Sequence, residues 1–239
     1  MMKEILRKIL PNSVFKILKM FYWDYTNGTS FQSFSGEGED MILRKIFYKK
    51  KTGFYVDIGA YHPKKSSNTY HFYKNGWSGI NIDAMPGSMK IFKQLRPRDI
   101  NVECPIGKDN ELIRFYEFED KALNGFESDK LKNKDQSKPQ NVIKRIHELK
   151  SKSLNSILNS YLPTEQKIDF MSIDVEGNEM SILEGFDFVK YAPTFILVEI
   201  WNYEISHDFT NSVDSLLIYE GYIPIAKTIN TVFYERKSN

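Results

Sequence analysis

Cysteine is nearly absent: Cys104 stands alone in 239 residues, so no disulfide can close within the chain. Long apolar runs are missing too, and no stretch approaches the roughly 20 residues that a bilayer-spanning helix needs. A formal net charge of only +2, from 33 Lys and Arg against 31 Asp and Glu, provides no global field to draw the chain to nucleic acid. These absences point to a reducing compartment, the cytosol, and to a partner other than nucleic acid. What is present is material for a core. With 41% hydrophobic and 14% aromatic residues, the chain can build one domain of about 200 residues with an appendage.

The appendage is N-terminal. Residues 1–23 set Ile5, Leu6, Ile9, Leu10, Phe15, Ile17, Leu18 and Phe21 among Lys3, Arg7, Lys8, Lys16 and Lys19, with a break at Pro11. The apolar residues are dispersed among lysines and no small-residue cleavage site follows, which argues against a secretory signal. Residues 1–33 therefore read as a basic amphipathic helical arm and residues 34–239 as the domain. The arm is expected to pack on its own domain or on a second copy of the chain, in a monomer or homodimer. The alternative is peripheral contact with an anionic membrane, at its inner face.

Beyond residue 34, strand-like runs alternate with helical patterns, which predicts an α/β domain whose mostly parallel sheet is covered on both faces. Strands are expected at Phe54–Ile58, Gly79–Asp83, Ile100–Cys104, Ile168–Val175 and Thr194–Ile200. Helices are expected over Ser35–Lys50, Ser67–Asn75, Pro86–Leu95, Ser153–Tyr161, Asn178–Glu184 and Ser212–Glu220. Tyr222–Lys227 and Thr231–Arg236 read as an antiparallel hairpin turning at Ile229 and Asn230, which completes seven strands. One interval breaks the alternation. Residues 119–150 are polar and charged, with no sustained apolar run before Val142, and read as an insertion that is either a solvated loop or an active-site lid.

Four of the expected parallel strands finish on or beside a carboxylate: Asp57, Asp83, Asp174 and Glu199. All four belong to one edge of the sheet, the edge outside which open α/β sheets bind their ligands. A carboxylate there is only partly solvated and is costly unless it is paired or bound. Four on one edge call for a site. After the first strand, Gly59 permits a sharp turn and a close approach to a ligand. The region where a dinucleotide site needs further glycines is occupied by His62, Pro63, Lys64 and Lys65, which weakens a reading as a nicotinamide-dependent enzyme. Asp83 follows Asp57 at a spacing suited to an acid that clamps both hydroxyls of a ribose.

Four stretches together resemble the FkbM-type family, a branch of the class I S-adenosylmethionine-dependent methyltransferases. They are Ser35–Leu43, Val56–Ala60, Asn81–Ala84 and, most specific, Ile173–Glu179, the last followed by Ile182–Gly185 and Leu197–Glu199. The resemblance implies a Rossmann-like α/β fold and S-adenosylmethionine as cofactor. It implies that Asp57 and Gly59 lie against the methionine part, with the loop Tyr61–Asn68 beside it. Asp83 and Ala84 would hold the ribose side, and the turn containing Pro105 and Ile106 would flank the adenine. Gly36 and Glu37 would fold back over the cofactor, with Glu37 near its amino group. Asp174 and Glu176 would face the transferred methyl group. The loop Tyr61–Asn68 is richer in Pro and Lys than usual, and residues 119–150 have no general counterpart, so the acceptor does not transfer with the resemblance.

A sulfonium already carries a good leaving group, so the protein must chiefly align an acceptor oxygen with the methyl carbon. The expected reaction is O-methylation of a sugar or small-molecule hydroxyl, including those of surface polysaccharides. Asp174, Glu176 or Glu199 is the candidate base, with His207 in the loop after the fifth strand and His62 as further candidates. The same carboxylates suit magnesium if a metal takes part, and no metal ligand set is assigned. Two rival functions are an NAD(P)-dependent oxidoreductase and a noncatalytic binding protein on the same scaffold.

Overall fold

The computed structural model describes residues 9–26, 31–119, 124–126, 138–175, 177–201, 203–204 and 212–237. The chain divides into two compact units, Met1–Ser33 and Phe34–Asn239. In the first, helix α1 (Asn12–Thr26) begins just after Pro11, whose carbonyl accepts the Phe15 N–H at 3.0 Å. A proline has no N–H to lose at a helix start, so the expected break is where the helix opens.

The second unit is an α/β domain. In chain order it runs α2 (Glu39–Ile46), β1 (Phe54–Ile58), α3 (Tyr70–Lys74), β2 (Ser78–Asp83), α4 (Met89–Leu95), β3 (Ile100–Glu103), β4 (Leu112–Phe118), β5 (Gly125–Phe126), β6 (Ile143–Lys150), α5 (Leu154–Tyr161), β7 (Phe170–Ile173), α6 (Glu179–Glu184), α7 (Phe188–Tyr191), β8 (Phe195–Glu199), α8 (Ser212–Tyr219), β9 (Tyr222–Lys227) and β10 (Thr231–Arg236). Seven strands form one sheet in the order β3-β2-β1-β7-β8-β10-β9. Every pair among the first five is parallel, and β10 runs antiparallel to both its neighbours. This is a Rossmann-like class I methyltransferase arrangement. The strand order reverses between β1 and β7, and such a switch point opens a crevice at the carboxyl ends of the strands.

The central strands are buried on both faces, which is why they read as apolar runs rather than alternating ones. Val56, Ile58, Ile80 and Ile173 pack with Ile157 of α5, Leu183 of α6 and Leu217 of α8. On the other face Tyr55, Phe170 and Phe233 pack with Leu43 of α2, Phe72 of α3 and Trp77. Two-sided cover fixes the period-2 alternation, so Asp57 shares the face of Tyr55 and its neighbour Ile58 takes the other.

The interval 119–150, expected to be an insertion acting as a loop or lid, carries two strands, β5 and β6, that pair with β4 just before it in a second sheet. Its three antiparallel strands lie in the order β5-β4-β6, with β4 and β6 paired from Leu112↔Lys150 to Phe118↔Ile143. Most β6 side chains are exposed, with only His147 and Leu149 half-buried. A one-sided strand of charged residues leaves no apolar run to read, and that hid it in the sequence. Residues 120–123 and 127–137 of the expected lid lie outside the described residues.

Candidate functional site

The carboxyl ends of β1, β2, β3 and β7 surround a cavity of about 580 Å³. Its floor is the turn after β1. Gly59 has φ +80° and donates its N–H to Ile82 O at 3.0 Å, while Asp174 N–H reaches Ile58 O at the same distance. A Cβ on Gly59 would lie 1.7 Å from the Asp174 carbonyl oxygen, so only glycine fits where the turns after β1 and β7 meet.

Asp83 ends β2 at the cavity wall. Its Oδ2 accepts the Tyr61 N–H at 2.9 Å and its Oδ1 the Met85 N–H at 2.8 Å. Two backbone donors thus fix the carboxylate plane, and each oxygen keeps acceptor capacity for a ligand. Burial pushes its pKa above the ordinary carboxylate value, opposed by those two N–H groups. Ala84, Met85 and Pro86 continue the wall, and Cys104 and Ile106 form the side beneath β3.

The remaining wall comes from the second sheet: Phe115, Asn124, Gly125 and Phe126 all border the cavity. The rings of Phe115 and Phe126 meet edge to face at 5.3 Å. Asn124 ties this corner down, accepting Phe118 N–H at 2.8 Å through Oδ1 and placing Nδ2 3.7 Å from Met85 Sδ. None of these four residues is singled out in the sequence, where residues 124–126 figure only within the loop or lid expected over 119–150.

Of the residues singled out in the sequence, Gly59, Tyr61, Asp83, Ala84, Ile106 and Asp174 come together around this cavity. Others lie elsewhere. Asp57 is buried and accepts the Thr69 hydroxyl at 2.6 Å. Asn68 donates to Ser172 Oγ at 3.0 Å, and Pro105 gives its carbonyl to Lys152 N–H at 3.1 Å. Glu37 holds the turn between β9 and β10, accepting Asn230 N–H at 2.9 Å and Asn230 Nδ2 at 2.7 Å, and Gly36 beside it is exposed. Burial alone would raise the Glu37 pKa, but hydrogen bonds from Asn230, Thr228 and Ile229 hold it below the ordinary value. Glu199 accepts Trp201 Nε1–H at 2.9 Å. Asp174 is exposed at the cavity. Glu176 and His207 lie outside the described residues.

His62 borders the cavity, but its Nδ1 accepts two backbone N–H groups, from Lys64 and Lys65, each at 3.0 Å. Burial, then the charges of Lys65 and Lys64, lower its pKa. With Nδ1 engaged by two backbone N–H groups, the ring has Nε2 left to meet a ligand.

A buried ion pair behind β1 also escaped the sequence reading. Arg96 is fully buried, donating Nε–H to Asp99 at 2.7 Å and its terminal nitrogens to Tyr55 OH at 2.7 Å and Thr69 Oγ1 at 2.9 Å. Thr69 passes the contact on to Asp57. Asp57, raised in pKa by burial, is opposed by that hydroxyl and by the Arg96 charge. The sequence Arg96-Pro97-Arg98-Asp99 after a helix reads as surface, with nothing to mark one arginine as internal. Among the described residues, no three His, Cys, Asp or Glu side chains cluster as a metal site.

A model of the methyltransferase FkbM domain matches residues 57–224, more than half of the chain. The chain belongs to the FkbM methyltransferase family. Among solved structures, this family member is similar to the methyltransferase FkbM from Methylobacillus flagellatus at 13% identity and a TM-score of 0.45, over 77% of this chain and 44% of that one. It thus spans less than half of that protein's length. It is also similar to a TehB-like SAM-dependent methyltransferase from Corynebacterium glutamicum, with 10% identity, a TM-score of 0.41 and coverage of 95% and 100%. A third is the Burkholderia thailandensis 1,6-didemethyltoxoflavin-N1-methyltransferase, solved with 1,6-didemethyltoxoflavin and S-adenosylhomocysteine. There the identity is 10%, the TM-score 0.41 and the coverage 96% and 91%. Scores this low decide nothing alone; the family match and the strand order carry the assignment. No curated protein matches the chain.

Proposed function

We propose that this FkbM family member transfers a methyl group from S-adenosylmethionine to a hydroxyl oxygen of a sugar or small molecule. One observation carries the cofactor half of that reading: Asp83, its plane fixed by Tyr61 and Met85 N–H, faces a 580 Å³ cavity at the switch point of the sheet. The volume lies within the roughly 300–1,000 Å³ of small-ligand sites. Asp83 would accept both ribose hydroxyls, Ile106 and the Phe115–Phe126 pair would face the adenine, and Gly59 would admit the methionine part. The sulfonium of the cofactor supplies an activated methyl group. The chain's own contribution is to orient the acceptor and take its proton, and Asp174 at the cavity mouth is the candidate for that step.

A dinucleotide fits less well. Pyrophosphate sites use a helix N-terminus directly after the glycine turn, whereas α3 does not start until Tyr70, where Ser67 Oγ already accepts the Tyr70 N–H at 3.1 Å. Calorimetric titration with S-adenosylmethionine, S-adenosylhomocysteine and NAD tests the reading. Binding of the first two and not NAD is expected, and Asp83→Ala weakens it about 10²- to 10⁴-fold, since each of the two charge-assisted bonds is worth roughly 1.5–3 kcal/mol. Unchanged affinity in folded Asp83→Ala, or NAD as the better ligand, overturns it.

A further inference from the structure

Within the unit Met1–Ser33, α1 keeps an apolar face in solvent. Phe21 is 57% exposed, and Val14, Ile17 and Leu18 of the same face are exposed as well, with exposed Met20 and Tyr22 lying off it. With about 3.6 residues per turn, Val14, Ile17, Leu18 and Phe21 fall on one side of the helix and Lys16 and Lys19 on the opposite side. Charge is also unequally divided along the chain. Residues 1–33 hold Lys3, Arg7, Lys8, Lys16 and Lys19 against Glu4 and Asp24, a net +3, while the whole chain carries +2, which leaves residues 34–239 at −1.

We infer that α1 docks on an anionic lipid surface, lying in the plane of the headgroups with Val14, Ile17, Leu18 and Phe21 turned towards the acyl chains. An apolar stripe backed by lysines is the pattern of an interfacial helix, and its positive charge matches anionic headgroups. A second copy of the arm is a poorer match, because it brings the same +3 to the contact. No helix among the described residues is long and apolar enough to cross a membrane, so the docking is in-plane. The membrane thereby becomes a place where the domain is held, independently of what its cavity binds.

The test uses the full chain with vesicles of phosphatidylcholine alone and of phosphatidylcholine mixed with phosphatidylglycerol, read by co-sedimentation and accompanied by analytical ultracentrifugation without lipid. Binding to the anionic vesicles, declining with salt, is expected. Ile17→Asp/Phe21→Asp abolishes it, and Lys16→Gln/Lys19→Gln lowers the partition coefficient about 20-fold, roughly four- to fivefold for each lysine. Both variants keep the thermal melting of the parent, which separates lost docking from lost fold. Equal binding to neutral vesicles, no binding at all, or binding that survives both substitutions overturns the inference. So does an arm-dependent dimer that ignores vesicles, which would assign the face to a second copy.

Discussion

At the scale of single residues, the two carboxylates at the cavity sit in different environments. Asp83 is pinned by Tyr61 and Met85 N–H and its pKa is raised by burial, whereas Asp174 is exposed. On the proposed reading, the ionised form of Asp83 would accept ribose hydroxyls and the protonated form would compete with them. Cofactor affinity is therefore complete above the pKa of Asp83 and lost as pH falls through it, and the loss begins at a higher pH than an ordinary aspartate would give. Calorimetry across the acidic range should show this slope in the parent protein and a flat, weak response in Asp83→Asn. For Asp174 the expectation is kinetic. Asp174→Asn keeps the shape and removes the charge, so turnover should fall about 10²–10⁴-fold with cofactor affinity little changed. Repeating the assay with a chelator separates a proton acceptor from a metal ligand: undiminished parent activity leaves the carboxylate acting alone. Near-normal turnover of the variant would remove Asp174 from the chemistry.

At the scale of elements, β4 and β5 give the cavity a wall that the parallel sheet lacks. Phe126 is half-buried, so Phe126→Ala removes a ring from the cavity more than from the core. Cofactor affinity should fall about three- to tenfold, the worth of one aromatic contact, while the melting temperature of the ligand-free protein barely moves. Equal losses in both would make the ring a packing residue instead. The same elements mark the limit of what the sequence disclosed. Strands β1, β9 and β10 were legible to the residue, as runs of β-branched and aromatic residues between turn formers. The turn at Ile229 and Asn230 was legible too, where Thr228 and Thr231 close on each other. Helix α2 starts later than the sequence suggests, since Phe34 N–H and the Ser35 hydroxyl donate to the Asp40 carboxylate in a lead-in before Glu39. Asp83 and Gly59 were legible because strand ends and switch points follow general rules. The second sheet was not, because Arg114, Glu117, Lys144, Arg145 and Glu148 interrupt every apolar run. Arg96 was invisible because a buried cation is defined by partners distant in sequence, Tyr55 and Thr69.

At the scale of the whole domain, its first residues are fastened to its last strand pair. Glu37 receives two hydrogen bonds from Asn230, and Thr231 Oγ1 reaches Glu39 Oε1 at 3.3 Å. Glu37 is only partly buried, so the contribution is modest. Glu37→Ala should cost on the order of 1 kcal/mol, a fall of roughly 2–4 °C in melting temperature for a chain of this size. Because the folded-state pKa of Glu37 is lowered, this contribution is present above its unfolded value and disappears as pH falls through the folded one. The two proteins should melt together in acid and apart at neutral pH. A difference that persists in acid would assign the effect to packing.

The contact between Gly59 and the Asp174 carbonyl bears on how such an enzyme can change its substrate over evolutionary time. A Cβ at residue 59 has nowhere to go, so the main chain after β7 is locked to the main chain after β1. On the proposed reading, substitutions that reroute residue 174 would disturb cofactor binding along with acceptor binding. Drift in acceptor choice must therefore proceed by exchanging side chains on a fixed backbone there, or by remodelling segments that do not touch the β1 turn. A loop graft that keeps the path through residue 174 should retain cofactor binding, and one that alters it should not.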